Sequence, residues 1–387
     1  MTGWLEISTE GFASFNSSRK PGHLVKELVQ NAFDAIGDKP GDVYLDYQHN
    51  GREFIVECRD TGEGMLDLEA IRVVYLTFKK DSHLKRGRFG RGFKEVLSIA
   101  SWAIVESGNN GLHFTVENGK QIAKSVTLQP PITGTVVRMA LPFSEEAAAE
   151  LDAYFGAFLV PRHISFYLNG RVVGLREPKH VVEVSLTTEV YHGESHSWRK
   201  PKRAAQIELV PTRQPEEAMI YEMGIPVADA EWAVPFHVNV LQRVPMNPNR
   251  DALASGYVKS VHAAALPVLL PDLDETEATQ DWVGTAGVAC DEDVQKAIVT
   301  KAFGTEAVRF VPTMGKRDFN DDAERVGAVI VRTNQMSSGF REMAKVHLPT
   351  AKEKVDEVQT KLVEAVAQSG FSLKDDLGIE AEAKLAW

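Results

Sequence analysis

The stretch PGHLVKELVQNAFDAIG, residues 21–37, decides how the chain is read. Its apolar positions Leu24, Val25, Leu28, Val29, Ala32, Phe33 and Ile36 recur with the period of a helix that buries one face. Pro21 and Gly22 set its start, and Gly37 with Pro40 sets its stop. The opposite face carries Glu27, Asn31 and Asp34. At about 100° per residue these three fall within an arc of roughly 60°. A carboxylate, an amide and a second carboxylate therefore project together, a pattern that suits a solvated face as well as a site.

Two strand-like runs follow, Val43–Gln48 and Glu53–Cys58, around a turn at Asn50 and Gly51. The second run leads into DTGEGM, residues 60–65, whose two glycines permit a tight turn and close backbone approach to a ligand. Leu66–Leu76 reads as helical. GRFGRG, residues 87–92, then opens a helix over Phe93–Ser101. Glycine-rich backbone at a helix start offers N–H groups and a positive dipole end to phosphate. The spacing is neither that of a Walker A loop nor that of a dinucleotide fingerprint. Strands are expected at Trp102–Glu106, His113–Val116, Ala123–Leu128 and Thr135–Leu141.

The order and spacing of these three segments resemble the GHKL ATPases, the family of gyrase, heat shock protein 90, histidine kinases and MutL. The pattern looks most like the heat shock protein 90 branch, with Gly90, Arg91, Gly92 and Phe93 at the lid end and Gly134-Thr135 entering a strand. The resemblance covers roughly residues 20–141. It implies that Glu27 is the general base polarising the attacking water. It implies Asn31 as the Mg²⁺ ligand through its side-chain oxygen, a hard donor that suits magnesium. Asp34 would support the nucleotide or the loop. Asp60 would accept from the adenine amino group, with Thr135 beside it, Gly62 and Gly64 packing on the base and Met65 as an apolar wall. Gly87, Gly90 and Gly92 would wrap the phosphates.

Family members often carry a phosphate-contacting lysine before the lid, and here both Lys79 and Lys80 fit. From Lys79 to Lys94 there are seven Lys or Arg against Asp81 alone, in a chain of net charge -11. Such local charge suits a triphosphate. The segment from Lys80 to Gly87 is short for the chaperone branch, which argues against a large swinging lid.

Further on, NVLQRVPMNPNRD, residues 239–251, resembles the heat shock protein 90 middle-domain loop with its catalytic arginine. By that match Arg250 would reach the γ-phosphate as a cis arginine finger and Asn247 would support the loop, with Arg243 as the weaker alternative.

The expected fold class is α+β: a Bergerat-type two-layer α/β sandwich over residues 1–145, a transducer (ribosomal S5-like) domain over 146–270, and a small C-terminal α/β region over 271–387. Strands at Ile164–Leu168 and Arg171–Gly174, around Asn169-Gly170, should open the second domain, with more near 181–190, 205–210 and 234–241 and a helix from about 250. The acidic run Pro271–Asp281 reads as a linker or exposed loop. Helices are expected at 288–302, 336–346 and 350–368, and strands at 306–311 and 327–332.

The chain has 387 residues, 43% hydrophobic and 25% charged, enough apolar material for a core in each domain. Its two cysteines, Cys58 and Cys290, exclude a disulfide scaffold and a Cys-rich zinc site. The start lacks the basic and apolar regions of a signal peptide, and the longest apolar run, Ala263–Leu270, is too short to span a bilayer. The expectation is a cytoplasmic protein without membrane contact. It would hydrolyse ATP with Mg²⁺ and form a homodimer on ATP binding, with a protein client or DNA as a further partner. The competing reading is a non-hydrolytic ATP-dependent switch, against which the intact Glu27 argues. A histidine kinase is disfavoured because no helical phosphoacceptor segment is present. His192 and His196, four apart, lack a third ligand, and the WRKPKR cluster at 198–203 reads as an exposed basic loop.

Overall fold

The computed structural model describes residues 8–65, 67–76, 79, 81–87, 90–117, 120–247, 252–254, 256–312 and 318–368. They form two compact units. One runs to Ala230 and includes Pro235–Ala254; the other holds Glu231–Val234 and the described residues after 255.

The first unit opens with α1 (Thr9–Asn16) and α2 (Pro21–Ile36), then β1 (Gly41–His49), β2 (Phe54–Asp60), α3 (Gly92–Ser98), β3 (Trp102–Glu117), β4 (Lys120–Leu141), α4 (Ala147–Gly156), β5 (Ile164–Leu168) and β6 (Arg171–Val172). The six strands form one sheet in the order β3-β4-β2-β1-β5-β6. Every apolar position of the α2 stripe is buried. On its polar face Glu27 and Asp34 are buried too, with Gln30 beside them, while Asn31 is half-buried. A helix that buries carboxylates opposite its apolar stripe must give them partners, and those partners build the site.

This part of the unit departs from expectation in three places. The four short strands expected after α3 are two long ones, β3 and β4, paired from Trp102↔Ala140 to Glu117↔Lys120. Gly108 falls at a register shift within the ladder, and pairing resumes at Asn110↔Thr127. Between Leu68 and Arg72 there is a single 3-10 turn, capped by Asp67, in place of a longer helix. Finally, β5 runs parallel to β1, Gly41 opposite Ile164. The hairpin expected to open the second domain is therefore the edge of the first sheet, with α4 inside the crossover. The cause is aromatic packing. Phe166 of β5 is fully buried and meets Phe33 of α2 edge-on at 5.6 Å, beside Phe155 and Phe158. Truncating such a phenylalanine to alanine costs about 3–5 kcal/mol.

The second sheet of this unit comprises β7 (His180–Thr187), β10 (Lys202–Pro211), β11 (Met219–Glu222), β12 (Ile225–Asp229) and β13 (Phe236–Val240), in the order β12-β11-β13-β10-β7. A small hairpin, β8 (Val190–His192) and β9 (Ser197–Arg199), stands apart from it. β7, β10 and β13 are the expected strands. The β11–β12 hairpin, turning at Met223 and Gly224, has no counterpart in the sequence reading. Its Glu222 breaks the apolar pattern, yet that side chain is buried and accepts the Val244 amide (2.9 Å).

The second unit contains α5 (Tyr257–Leu269), α6 (Glu275–Ala278), α7 (Asp281–Gly287), α8 (Glu292–Phe303), β14 (Ala307–Arg309), α9 (Phe319–Arg325), β15 (Val329–Val331), α10 (Ser338–His347) and α11 (Ala351–Gln368). β14 and β15 pair in parallel. The acidic run read as a linker is a helix start. Asp274 and Glu277 form a capping box on α6, where carboxylates satisfy the N–H groups that open a helix. Trp232 belongs to this unit and stacks on His262 (5.1 Å). On α11, Val355 is buried, Val358 and Val366 are half-buried and Leu362 is exposed.

Candidate nucleotide site

A cleft of about 330 Å³ opens between α2, the 3-10 turn, the segment 79–87, the start of α3 and the β2–β4 edge. Glu27, Asn31, Asp34, Asp60, Gly64, Met65, Lys79, Gly87, Gly90, Gly92 and Thr135 all line it. Gly62 stands just behind, where an added Cβ would press on the Ala35 backbone. Residues that the sequence spreads over more than a hundred positions thus meet in one place.

One end of the cleft is apolar with a single acid. Leu28, Ala32, Cys58, Ile71 and Val137 supply the walls. Asp60 closes β2 opposite Thr135 of β4. Its carboxylate accepts the Gly62 amide (2.9 Å), and the amide and hydroxyl of Thr135 nearby favour its charged form. Burial nevertheless pushes its pKa up to about 6, because desolvation outweighs these hydrogen bonds and the nearby Lys79 charge. Gly134 has φ of +73°, and an added Cβ would overlap the Asp60 carbonyl. Only glycine lets β4 close on Asp60 there. Ser107, buried on β3, braces this end: it donates to the Gly134 carbonyl (2.9 Å) and accepts the Met65 amide (2.8 Å). The sequence reading passed over Ser107, since a lone serine beside glycine carries no pattern.

The other end is polar and cationic. Asp34 is an anchor for the loop: its two oxygens take the amides of Arg86 (3.0 Å) and Gly87 (2.9 Å), the Lys79 ammonium (3.2 Å) and the Arg86 guanidinium (3.4 Å). Burial by itself would raise its pKa, but the Lys79 and Arg86 charges and the two amides hold it below the ordinary carboxylate value. Lys79 also donates to Asn31 Oδ1 (3.0 Å). Glu27 lies against the start of α3, where an added Cβ on Gly92 would overlap its carboxylate. Lys85, Arg91 and Lys94 add positive charge to the lining. Lys94 donates to the carbonyls of Gly90 (2.7 Å) and Leu76 (3.1 Å), and burial lowers its pKa to about 8. Arg91 stands in the lid-end motif without an assigned role, and Lys94 enters the sequence reading only through the local charge count.

Lys80 and Arg250 lie outside the described residues. Arg243, the weaker candidate for a finger, does not line the cleft; it is fully buried. His192 and His196 sit at the β8–β9 hairpin, and no group of three metal-ligating side chains occurs among the described residues. Among those residues no helix is long and apolar enough to cross a membrane.

No curated protein matches the chain. Among solved structures, the N-terminal domain of a DNA repair protein aligns at 15% identity and a TM-score of 0.40, covering 64% of this chain and 92% of that one. The ATPase region of Saccharomyces cerevisiae topoisomerase II aligns at 13% identity and a TM-score of 0.37, covering 53% and 62%. The family model that matches groups three branches and selects none of them, the heat shock protein 90 branch included. Residues 16–145 match the family described as "Histidine kinase-, DNA gyrase B-, and HSP90-like ATPase", and that match supports ATP binding by this segment.

Proposed function

We propose that the chain binds ATP in this cleft and hydrolyses it, and that the nucleotide state gates conformation and dimerisation. One arrangement carries the reading: an acid, Asp60, beside Thr135 in an apolar pocket, and Glu27, Asn31, Lys79 and Gly87 grouped at the far end of the same cleft.

In this reading the Asp60 carboxylate accepts the adenine amino group. Guanine, with a carbonyl at that position, would face an unpaired carboxylate and be rejected. Lys79 and the Gly87–Gly92 backbone receive the phosphates. Glu27 accepts the proton of an attacking water, a task for a carboxylate within one hydrogen bond of it. Asn31 presents an oxygen that already accepts from the Lys79 ammonium at 3.0 Å, so a hard donor suited to Mg²⁺ faces the cleft. When bound with the nucleotide, the ion supplies neutralisation of phosphate charge. Asp34 keeps the loop in register. The second sheet takes the transducer role, with Arg250 reaching the γ-phosphate and Asn247 supporting its loop, as in the heat shock protein 90 branch.

The test is ATP turnover with Mg²⁺ on wild type, Glu27→Ala and Arg250→Ala, with mass measured with and without a non-hydrolysable ATP analogue. Glu27→Ala should bind ATP and lose turnover, and the wild type should dimerise with the analogue. Wild-type turnover in Glu27→Ala would remove the base assignment, and an unchanged mass would remove the gating.

A further inference from the structure

Arg243 follows β13 and has no exposed surface. Its side chain reaches into the nucleotide half of the first unit without entering the cleft. Nε donates to the Lys85 carbonyl (2.6 Å), and Nη2 donates to the carbonyls of Lys79 (2.7 Å) and Gly87 (2.6 Å). The Arg243 amide donates to the His83 carbonyl (2.8 Å). One residue beside the second sheet therefore holds the backbone at four positions of the segment that carries Lys79 and Gly87. Arg243 is itself held: the buried Thr188 hydroxyl donates to its carbonyl (2.9 Å). A parallel tie runs through Arg86, which touches Asp34 with Nη1 and donates from Nε to the Met223 carbonyl (3.0 Å) in the β11–β12 turn.

This geometry separates two possible jobs for an arginine in this region. A finger points at the phosphate and stabilises charge in the transition state. Arg243 instead spends its donors on carbonyls of the loop. A planar guanidinium offers several N–H groups in fixed directions, so it can gather carbonyls from separate parts of a loop into one shape. Asp34 gathers the amides of Arg86 and Gly87 from the cleft side. The loop is thus gripped by its carbonyls from the second sheet and by its amides from α2.

We propose that Arg243 is a positioning residue that pre-forms the backbone at Lys79, His83, Lys85 and Gly87 for the phosphates and couples phosphate binding to the second sheet. The proposal rests on the nucleotide reading above. The coupling is reciprocal by linkage: whatever favours the gripped loop favours the ligand, and the ligand favours the grip.

The experiment compares wild type, Arg243→Lys and Thr188→Val in binding of ATP and of adenosine, and in amide hydrogen exchange. Lysine keeps the charge and most of the stem but loses the fork, and Thr188→Val only loosens the Arg243 carbonyl. Arg243→Lys should weaken ATP by about tenfold or more, the scale of lost charge-assisted hydrogen bonds, and leave adenosine binding unchanged. Without nucleotide, the Arg86 and Gly87 amides should exchange faster in this variant. A non-hydrolysable ATP analogue should slow exchange over residues 236–244 in wild type and not in Arg243→Lys. Thr188→Val should shift the same readouts less.

Normal ATP affinity with reduced turnover in Arg243→Lys would overturn the proposal in favour of a finger. Equal loss of ATP and adenosine would overturn it in favour of core packing. A wild type that binds neither ligand would remove the nucleotide reading itself; unchanged exchange at Arg86 and Gly87 in Arg243→Lys would remove the grip independently.

Discussion

Gly92 is packed so closely on Glu27 that one added methyl would overlap the carboxylate. The first residue of α3 thereby sets where the acid on α2 points. Gly92→Ala should displace Glu27 by the width of a methyl while sparing the adenine end of the cleft. We expect turnover to fall by about a hundredfold, the scale of misplacing a catalytic group by an ångström, with a smaller change in ATP affinity. Single-turnover kinetics beside equilibrium binding separates the two. A Gly92→Ala variant of normal rate would mean that Glu27 has room to spare and that its position is not set there.

In the proposed reading, Asp60 gives up stability for adenine recognition. Its pKa of about 6 in the folded chain lies above the ordinary carboxylate value, so the folded state holds the proton more tightly than the unfolded state does. By linkage its contribution to stability falls as pH rises from about 4 to 6 and stays unfavourable above that. Asp60→Asn should therefore stabilise the nucleotide-free protein at pH 7.5 by on the order of 2 kcal/mol, raising its melting temperature, and abolish ATP binding. ATP affinity of the wild type should fall as pH drops through about 6, as the acceptor becomes protonated. Calorimetric titrations at pH 5.5 and 7.5 check the second point, and a thermal melt of the variant checks the first.

Asp34→Asn should act in the opposite direction. The substitution leaves the Lys79 and Arg86 charges without their buried carboxylate. Breaking a buried pair from one side costs about 3–5 kcal/mol. Because the Asp34 pKa is lowered in the folded state, its stabilisation is present above the unfolded carboxylate value and is lost as pH falls below it. Denaturant melts should show a large deficit for the variant at neutral pH that narrows toward pH 3. A deficit that is flat with pH would contradict the assignment.

Lys94 gives a calorimetric signature. Burial holds its pKa near 8, and an incoming phosphate would restore the charged form. At pH 8.5, ATP binding should take up a fraction of a proton, visible as a dependence of the binding enthalpy on buffer ionisation heat. Lys94→Met should abolish that dependence. Identical slopes for the two proteins would place Lys94 away from the phosphates.

Local pattern made half of this architecture legible. The α2 stripe follows a helical period, and Glu27, Asn31 and Asp34 share a face because three- and four-residue steps return to it. Asp60 and the 87–92 glycines stand out because strand ends and glycine clusters are visible in any single sequence. Arg243 is different. Its partners are carbonyls as many as 164 residues away, and an arginine before Val244-Pro245 looks exposed unless those carbonyls are known. Ser107 and the β11–β12 hairpin escaped for the same reason, since each is defined by what faces it. The parallel β1–β5 pairing is nonlocal too: an Asn-Gly turn announces a hairpin but not the sheet that hairpin joins.

That pairing bears on where the chain can be cut. The family match ends at residue 145, and a fragment ending there would look complete by sequence. It would lack β5, leaving β1 with an unpaired edge, and it would lose Phe155, Phe158 and Phe166 from beside Phe33 on the very helix that carries Glu27. An open edge next to uncovered aromatic surface invites pairing with a second chain. A shortened protein of this kind would self-associate for reasons unrelated to nucleotide, so oligomer measurements on it would report the missing strand and not the ATP state.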